Sequence, residues 1–574
     1  MFNFELYKEG LRKTKTLGIL FIVGMLLGAV AQPLIEISNH LHTVRMGWRY
    51  WDIYIIGIRA SFMMLFAPFA GAPVITLSIF SFLNKRSDCD FYHAIPHKRE
   101  TLFGSFIASV LTWVIGGMWL STTVSVIIYS LSSHATVRIG SVLLTVLGMS
   151  VASLLVIAAT ALAMTITGNR LSNIVVAGII LFLPRVLASM FVVVIVEMTR
   201  VVSSANFGLL GNNHYNILFG FFSQWRHDHN EVFTVGTVYT LVLGIIYLVA
   251  AGILFKKRQS ELAGNPSSKL IQHFIRIAVA FVITLPAILI IINDDPHANQ
   301  FSSRILGFSQ IQGVIVIYII ATFSYFVYEF ITMKRITKLT KMIPGLLGVA
   351  VLNVIFIVGI NVSRNVIMQE VDVASIRTVT IVDLNSSFWW TSYAELNMRG
   401  LEIADEEIID FFGVTLNSNI ERFSSRGRQG RNDFQWWNHR EVRVRLDIDG
   451  GRNITRSVWV RQFGLNKLLI EYEPYQEIFM SLPENPDQLF MSMWANRRTE
   501  ALTQEQLRHI YDVLQEDVAE VNFEDWHEAV TKETRGPGYE IDVRGHNYRS
   551  EFPITEELTP RAFELIEFYL ESED

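Results

Sequence analysis

Up to Ile360 the chain alternates long apolar runs with short polar breaks, and beyond Asn365 the pattern changes to strand-like alternation and helical spacing. Runs long enough to cross a bilayer, at roughly 20 residues each, are Leu17 to Ile35, Tyr54 to Phe82, Leu102 to Tyr129, Val142 to Ile166, Ile174 to Val196, Phe233 to Phe255, Leu270 to Ile292, Ile311 to Ile331 and Met342 to Ile360. They predict an all-α polytopic membrane bundle of about nine spans. Ala29-Val30-Ala31 has the small-residue form of a signal-peptidase site, but Pro33 and the many later spans favour an uncleaved first helix.

The remainder predicts a soluble α+β domain. Val442, Val444, Leu446 and Ile448 alternate with polar neighbours, and Asp449-Gly450-Gly451 allows a tight turn into a second strand around Arg456 to Val460. Thr503 and Gln506 form a capping box ahead of Leu507, Ile510, Tyr511, Leu514 and Val518, which share one helical face. Thr559-Pro560 opens a last helix through Phe563, Ile566 and Leu570. No internal repeat is evident. The predicted organisation is a six-span core over 1–255, three additional spans over 256–363 and the α+β domain over 364–574.

Composition sharpens the class. In 574 residues, 51% hydrophobic content against 18% charged is too apolar for an ordinary soluble enzyme. The formal net charge of -5 gives no basic field for nucleic acid, and a single cysteine, Cys89, excludes intrachain disulfides and a cysteine-based zinc cage. Lys8, Arg12, Lys13, Lys15, Lys85, Arg86, Lys98, Arg99, Arg170, Lys256, Lys257, Arg258, Lys269, Lys334, Arg335, Lys338 and Lys341 fall in loops of one parity. Only Arg45, Arg49, Arg138, Arg200, Arg226 and Arg304 fall in the others, so the N-terminus is expected in the cytoplasm and, after an odd number of spans, the C-terminal domain outside.

Between the second and third runs lies Asp90-Phe91-Tyr92-His93-Ala94-Ile95-Pro96-His97-Lys98-Arg99-Glu100. Phe91, Tyr92 and Ile95 fall at spacings that share one side of a helical turn, while Asp90, His93, His97, Lys98, Arg99 and Glu100 add charge and hydrogen-bonding groups around Pro96. This is a knob suited to a socket on a partner protein. The competing assignment is a plain loop with its aromatics in the headgroup zone.

The stretch DFYHAIPHKRETLFGS resembles the segment after the second membrane helix of ABC-2 type permeases of Gram-positive bacteria, the group that includes the Ytr-type permeases. That resemblance implies that residues 84–101 hold a coupling helix, which docks on a separate ATP-binding cassette subunit. The first six spans resemble the permease core, and Lys256 to Gly264 resembles a signature after its sixth span. From the residues alone, Lys256-Lys257-Arg258 is a positive cytoplasmic anchor. Residues Asn206 to Trp225, apolar but broken by Gly208, Gly211 and Gly220, should pack on protein or lie at the interface, and the resemblance implies short re-entrant or interfacial helices there. The run Leu446 to Ser457 is similar to a domain appended to some of these permeases.

Catalytic chemistry is sparse. No Gly-Lys pair occurs, so the chain has no phosphate-cradling ATPase loop. ATP and Mg would then be bound by the partner, with no cofactor in this chain. His93 and His97 sit four apart, but no Glu follows His93 and Pro96 interrupts the turn, so no metal site is expected. His227-Asp228-His229 and His40-Leu41-His42 lack a third ligand, and no serine-hydrolase elbow appears. Arg185, beside Pro184 in the fifth run, is the clearest ionisable group deep in a span, either facing a pathway or fixing helix packing; Arg59 and Glu329 lie nearer span ends. The loop Ser424 to Arg431 mixes cations with nearby Trp436 and Trp437 as anionic-polymer binders do, but a plain solvated loop is the stronger reading; Trp389-Trp390 is either a membrane-interface belt or domain core, and Gly148 with Ala152 permits close helix contact.

The expectation is a non-enzymatic permease subunit in the bacterial cell membrane, moving a peptide, drug or lipid-like or wall-related compound outward. Its expected partners are a cassette ATPase, a second permease and membrane lipid. A sensor or stress receptor whose outer domain binds peptide or wall precursor is the alternative.

Overall fold

A computed structural model describes residues 2–45, 53–55, 66–132, 135–137, 139–207, 230–264, 269–292, 310–333, 343–384, 392–425, 439–461, 468–484, 486, 488–493, 502–531, 539–544 and 549–571. Among them nine helices are long and apolar enough to cross a membrane. The chain forms two compact units, 1–195 with 207–362, and 196–206 with 363–574.

The first unit begins with α1 (Phe4–Lys13), capped by the Asn3 side chain, which accepts from the amides of Glu5 and Leu6. Thr14 separates it from α2 (Lys15–Arg45), whose apolar stretch is the first span. The second apolar run divides. Ile53–Ile55 is a strand, β1, paired in parallel with β2 (Ala135–Val137), and the described helical span runs only from Ala67 to Asn84, with α3 (Ala72–Ile79) at its centre. Tyr54 is therefore not part of a span, contrary to the expectation from hydropathy: both strands are apolar, and pairing rather than helix formation satisfies their backbone groups.

Next come α4 (Arg86–Ala94), α5 (Arg99–Leu111) and α6 (Gly117–Ser130), the last two joined through a π-helical turn, Thr112–Gly116, into one continuous span. The spans α7 (Ile139–Ile166), α8 (Arg170–Thr199) and α9 (Asn230–Lys257) follow, then α10 (Lys269–Ile292), α11 (Gln310–Met333) and α12 (Ile343–Ile367). Helix α7 packs along α9 and against α3, and is the most enclosed span. Gly148 and Ala152 are both buried in it. Near Gly10, α1 crosses α5 so closely that a Cβ would lie 2.5 Å from Ser109 Oγ. Only glycine permits that approach without displacement.

The second unit holds two antiparallel sheets. The first has strand order β4-β3-β5-β6, from β3 (Ile376–Leu384), β4 (Glu402–Ile403), β5 (His439–Ile448) and β6 (Arg452–Arg461). Its inner face, with Val379, Ile381, Val442, Val444 and Val458, is covered by Phe412, Leu416, Ile420 and Phe423 of α14 (Glu406–Ser425), which follows the short α13 (Tyr393–Asn397). The predicted hairpin is present, turning through Gly450 and Gly451 at φ 89° and 76°. After α15 (Glu473–Met480) comes β7 (Gln488–Met493), then α16 (Gln504–Glu520) with both halves of the Thr503/Gln506 capping box, α17 (Phe523–Thr531), β8 (Tyr539–Arg544), β9 (Arg549–Ile554) and α18 (Pro560–Glu571).

The second sheet has order β7-β8-β9. Strand, helix, antiparallel hairpin and helix thus occur twice in the same order with the same pairing, first as β3, α14, β5-β6, α15 and again as β7, α16, β8-β9, α18. This is an internal repeat of topology, which no repetition of residues announces.

Arg59, the greater part of Asn206 to Trp225, Trp389-Trp390, residues 426–431, Trp436-Trp437 and His227 to His229 lie outside the described residues.

Candidate functional site

The ends of the second, third, fourth and sixth spans meet at the end of the bundle that carries Lys85, Arg86, Lys98, Arg99, Lys256 and Lys257. Helix α4 lies there. It follows an extended Lys85, has Asp88 in its first turn to complement the helix dipole, and stops at Ala94. Ile95 is extended, as a residue before proline prefers, and Lys98 is extended before α5 starts at Arg99.

The aromatic pair is divided. Phe91 is 66% exposed, whereas Tyr92 is half-buried, its ring centroid 4.5 Å from that of Phe82 and 5.9 Å from that of Phe106. Lys13 Nζ stands 4.5 Å from the Tyr92 ring centroid and donates to the Ile79 carbonyl. Burial draws the Lys13 ammonium down to about 8, while Asp88 and Glu9 pull it back up. The expectation that Phe91, Tyr92 and Ile95 form one outward face is corrected. Adjacent positions on a helix do not face the same way, and Ile95 lies past the helix end, half-buried.

The outward set is Asp90, Phe91, Ala94, Pro96, His97 and Lys98, all exposed. The inward set is Cys89, Tyr92 and His93. Cys89 is fully buried and its Sγ lies 3.7 Å from His93 Nδ1. The His93 ring meets Phe255 edge-on at 6.1 Å between centroids. Burial, then Arg99 and Arg258, hold the His93 imidazole below its usual value. Arg99 and Glu100 brace α5 against the sixth span. Arg99 Nη1 donates to the carbonyls of Arg258 at 2.7 Å and Lys256 at 3.2 Å, and Glu100 pairs with Lys256 Nζ at 2.6 Å.

Beneath this surface is a knot that the residue pattern did not disclose. Arg258, expected as an exposed anchor, is 3% exposed. Its guanidinium donates to Thr167 O at 2.7 Å, Leu83 O at 2.9 Å and Met164 O. These carbonyls stand at the C-terminal ends of the fourth and second spans, where helices leave acceptors without intrahelical partners. A forked, permanently charged donor suits several such acceptors at once. Burial draws Arg258 down to about 10, so it stays charged at neutral pH.

Asn173 extends the knot, donating to Asn84 Oδ1 at 3.0 Å and bonded to the Thr167 hydroxyl. Gly264, at φ 83°, donates its amide to Gly168 O at 3.0 Å. The Lys256 to Gly264 stretch therefore closes the ends of neighbouring spans. The available sequence signal was a polar residue just after each apolar run, at Asn84, Thr167 and Arg258.

Arg185 is buried at 8% exposure within α8, next to Pro184. Other ionisable groups within the candidate spans, Arg276 and Glu36 among them, were not singled out by the sequence. Arg276 of α10, 1% exposed, stacks over Tyr325 with 5.6 Å from its guanidinium carbon to the ring centroid and approaches His273 Nδ1 at 2.7 Å. Glu36 of α2 accepts from the Tyr129 hydroxyl and from Gln32 Nε2. Among the described residues no group of three or more His, Cys, Asp or Glu converges as metal ligands would.

Among the described residues, nine helices long and apolar enough to cross a membrane, beside a mixed domain, give the chain the build of a multi-pass membrane protein. Comparison with protein-family models finds no match, and neither does comparison with curated proteins or with solved structures.

Proposed function

We propose that this chain is the permease subunit of an ATP-binding cassette exporter in a bacterial cell membrane. A separate ATPase subunit drives it, and it moves a peptide, drug or lipid-like or wall-related compound. The observation that carries this is the division of α4: Phe91 projects from the bundle among Asp90, His97 and Lys98, while Tyr92, His93 and Cys89 root the same helix in the ends of the spans. An exposed aromatic on a braced, charged element suits capture by a pocket on a partner. Force applied at Phe91 passes through Arg99, Glu100 and Arg258 into the third, sixth, fourth and second spans. Such a contact can bias a bundle between two arrangements.

The number of spans between the fifth helix end and the C-terminal domain has support beyond hydropathy. Residues 196–206 and 363–574 fold as one unit, so both emerge on one side of a membrane. Four candidate spans separate the helix end at Thr199 from that at Ile367, an even number, as one common side requires. With the N-terminus in the cytoplasm, that side is extracytoplasmic.

Affinity purification of the full chain from its native membranes tests the proposal. A cassette ATPase should co-purify and be lost from Phe91→Ala. Retention of a cytoplasmic partner of another kind, with no ATPase, would favour the sensor instead.

A further inference from the structure

We propose that the C-terminal domain and the fifth span act as one mechanical element, joined by residues 200–206 lying along the edge of the first sheet. Helix α8 ends at Thr199, and Arg200 adopts φ 57°, the one positive φ at a non-glycine among the described residues. A left-handed residue there ends the helix and turns the chain away from its axis. The next residue, Val201, is fully buried in the core of the sheet and α14.

Strand β6 is the edge of that sheet, with β5 on its other side. Two of its outward backbone groups are taken up by the segment: Ser457 N donates to Val201 O at 2.9 Å, and Thr455 O accepts from Asn206 Nδ2 at 2.7 Å. Trp459 Nε1 adds a bond to Arg200 O at 2.7 Å. Thr455 and Ser457 are alternate residues, so their backbone groups point to the same edge, and the Trp459 side chain projects from the same face of the strand as Ser457.

An exposed strand edge is commonly covered to prevent unwanted pairing, and a loop from anywhere in the chain would serve. Here the cover is the direct continuation of a 30-residue helix. A helix is stiff along its axis, and the cover is held by a buried side chain as well as hydrogen bonds. A rearrangement of the domain must therefore carry the helix end with it or break the edge. Whatever the domain binds biases α8 by this route, and a shift of α8 biases the domain reciprocally. The inference is independent of the exporter proposal, because its test measures no transport.

Hydrogen–deuterium exchange of the full chain in lipid nanodiscs, wild type against the double variant Asn206→Ala/Trp459→Phe, decides it. The amides of β6 and of 194–199 in α8 should exchange at least tenfold faster together, with β7 unchanged. Acceleration restricted to 200–206 and β6, or none at all, would overturn the proposal and leave simple edge protection. If the double variant also loosens β7, Trp459→Phe alone, which keeps an aromatic ring and loses the indole N–H, is judged by the same two outcomes.

Discussion

Arg258 closes the end of the fourth span by donating to the carbonyl of Thr167 at 2.7 Å, from a position 91 residues further along the chain. The same guanidinium reaches Leu83 at the end of the second span, so one side chain fixes the relative placement of helix ends on which α4 rests. Removing it leaves buried carbonyls without donors. Arg258→Ala should therefore destabilise the bundle by about 3 kcal/mol, read as a lower midpoint of thermal unfolding in detergent. Arg258→Lys should recover only part of this, because an ammonium is a point donor where a fork is needed. Wild-type stability in Arg258→Ala would remove the knot from the account.

Phe91 and Tyr92 should separate in their effects despite adjacency. Phe91→Ala, at an exposed site, should change stability by no more than about 0.5 kcal/mol while abolishing retention of an ATPase. Tyr92→Ala vacates space against Phe82, Phe106 and Lys13 and should cost about 2 kcal/mol. Measuring thermal midpoint and ATPase retention on both variants checks the division. Equal destabilisation by both would show that Phe91 is packed rather than presented.

His93 should make α4 sensitive to acid. Its imidazole is held below the usual 6.5 by burial and by Arg99 and Arg258, with Asp90 opposing. Between the folded and unfolded values the unfolded chain binds more protons, so stability rises with pH through that window and falls on acidification. Lowering pH from about 7.5 to about 5.5, across the histidine range, should speed proteolysis around α4, and His93→Gln should flatten that dependence. An unchanged pH profile in His93→Gln would assign the sensitivity elsewhere.

Val201 tests whether residues 196–206 belong to the folded domain in solution. Val201→Ala should lower the domain's stability by about 2 kcal/mol, and Val201→Asp by more, since its carboxylate would be buried among the apolar side chains of that core. Limited proteolysis of the full chain, following cleavage within 363–574, reads the effect. Identical cleavage in wild type and Val201→Asp would detach the segment from the sheet.

Topology is open to a direct check. A reporter active only in the cytoplasm, fused after Asp574, should give no signal, while the same reporter ahead of Met1 should be active. The opposite pair of results would reverse the orientation of every span.

Some of this architecture was plain in the order of residues. Long apolar runs predicted the spans, and the hairpin at Gly450-Gly451 and the cap at Thr503 were readable because each depends on a few neighbouring residues. Errors arose where hydropathy could not distinguish strand from helix, as at Tyr54, or where a periodic pattern named one face but packing used two, as at Phe91 and Tyr92. The repeated topology of the domain was invisible for a related reason. Its halves share the order and pairing of elements, which many different apolar sequences satisfy.

From the chain of residues alone came the membrane class, the long apolar helices, the mixed C-terminal domain and the segment between the second and third spans, because period and length are local properties. The fold decided that Arg258 is a buried tie, that Tyr92 turns inward, and that the residues following the fifth span lie along the edge strand β6, with Asn206 and Thr455 separated by 249 positions in the chain. Those outcomes depend on which helix ends and strand edges meet in space. Unsatisfied carbonyls and open edges look alike in any sequence until the fold selects the donor that reaches them.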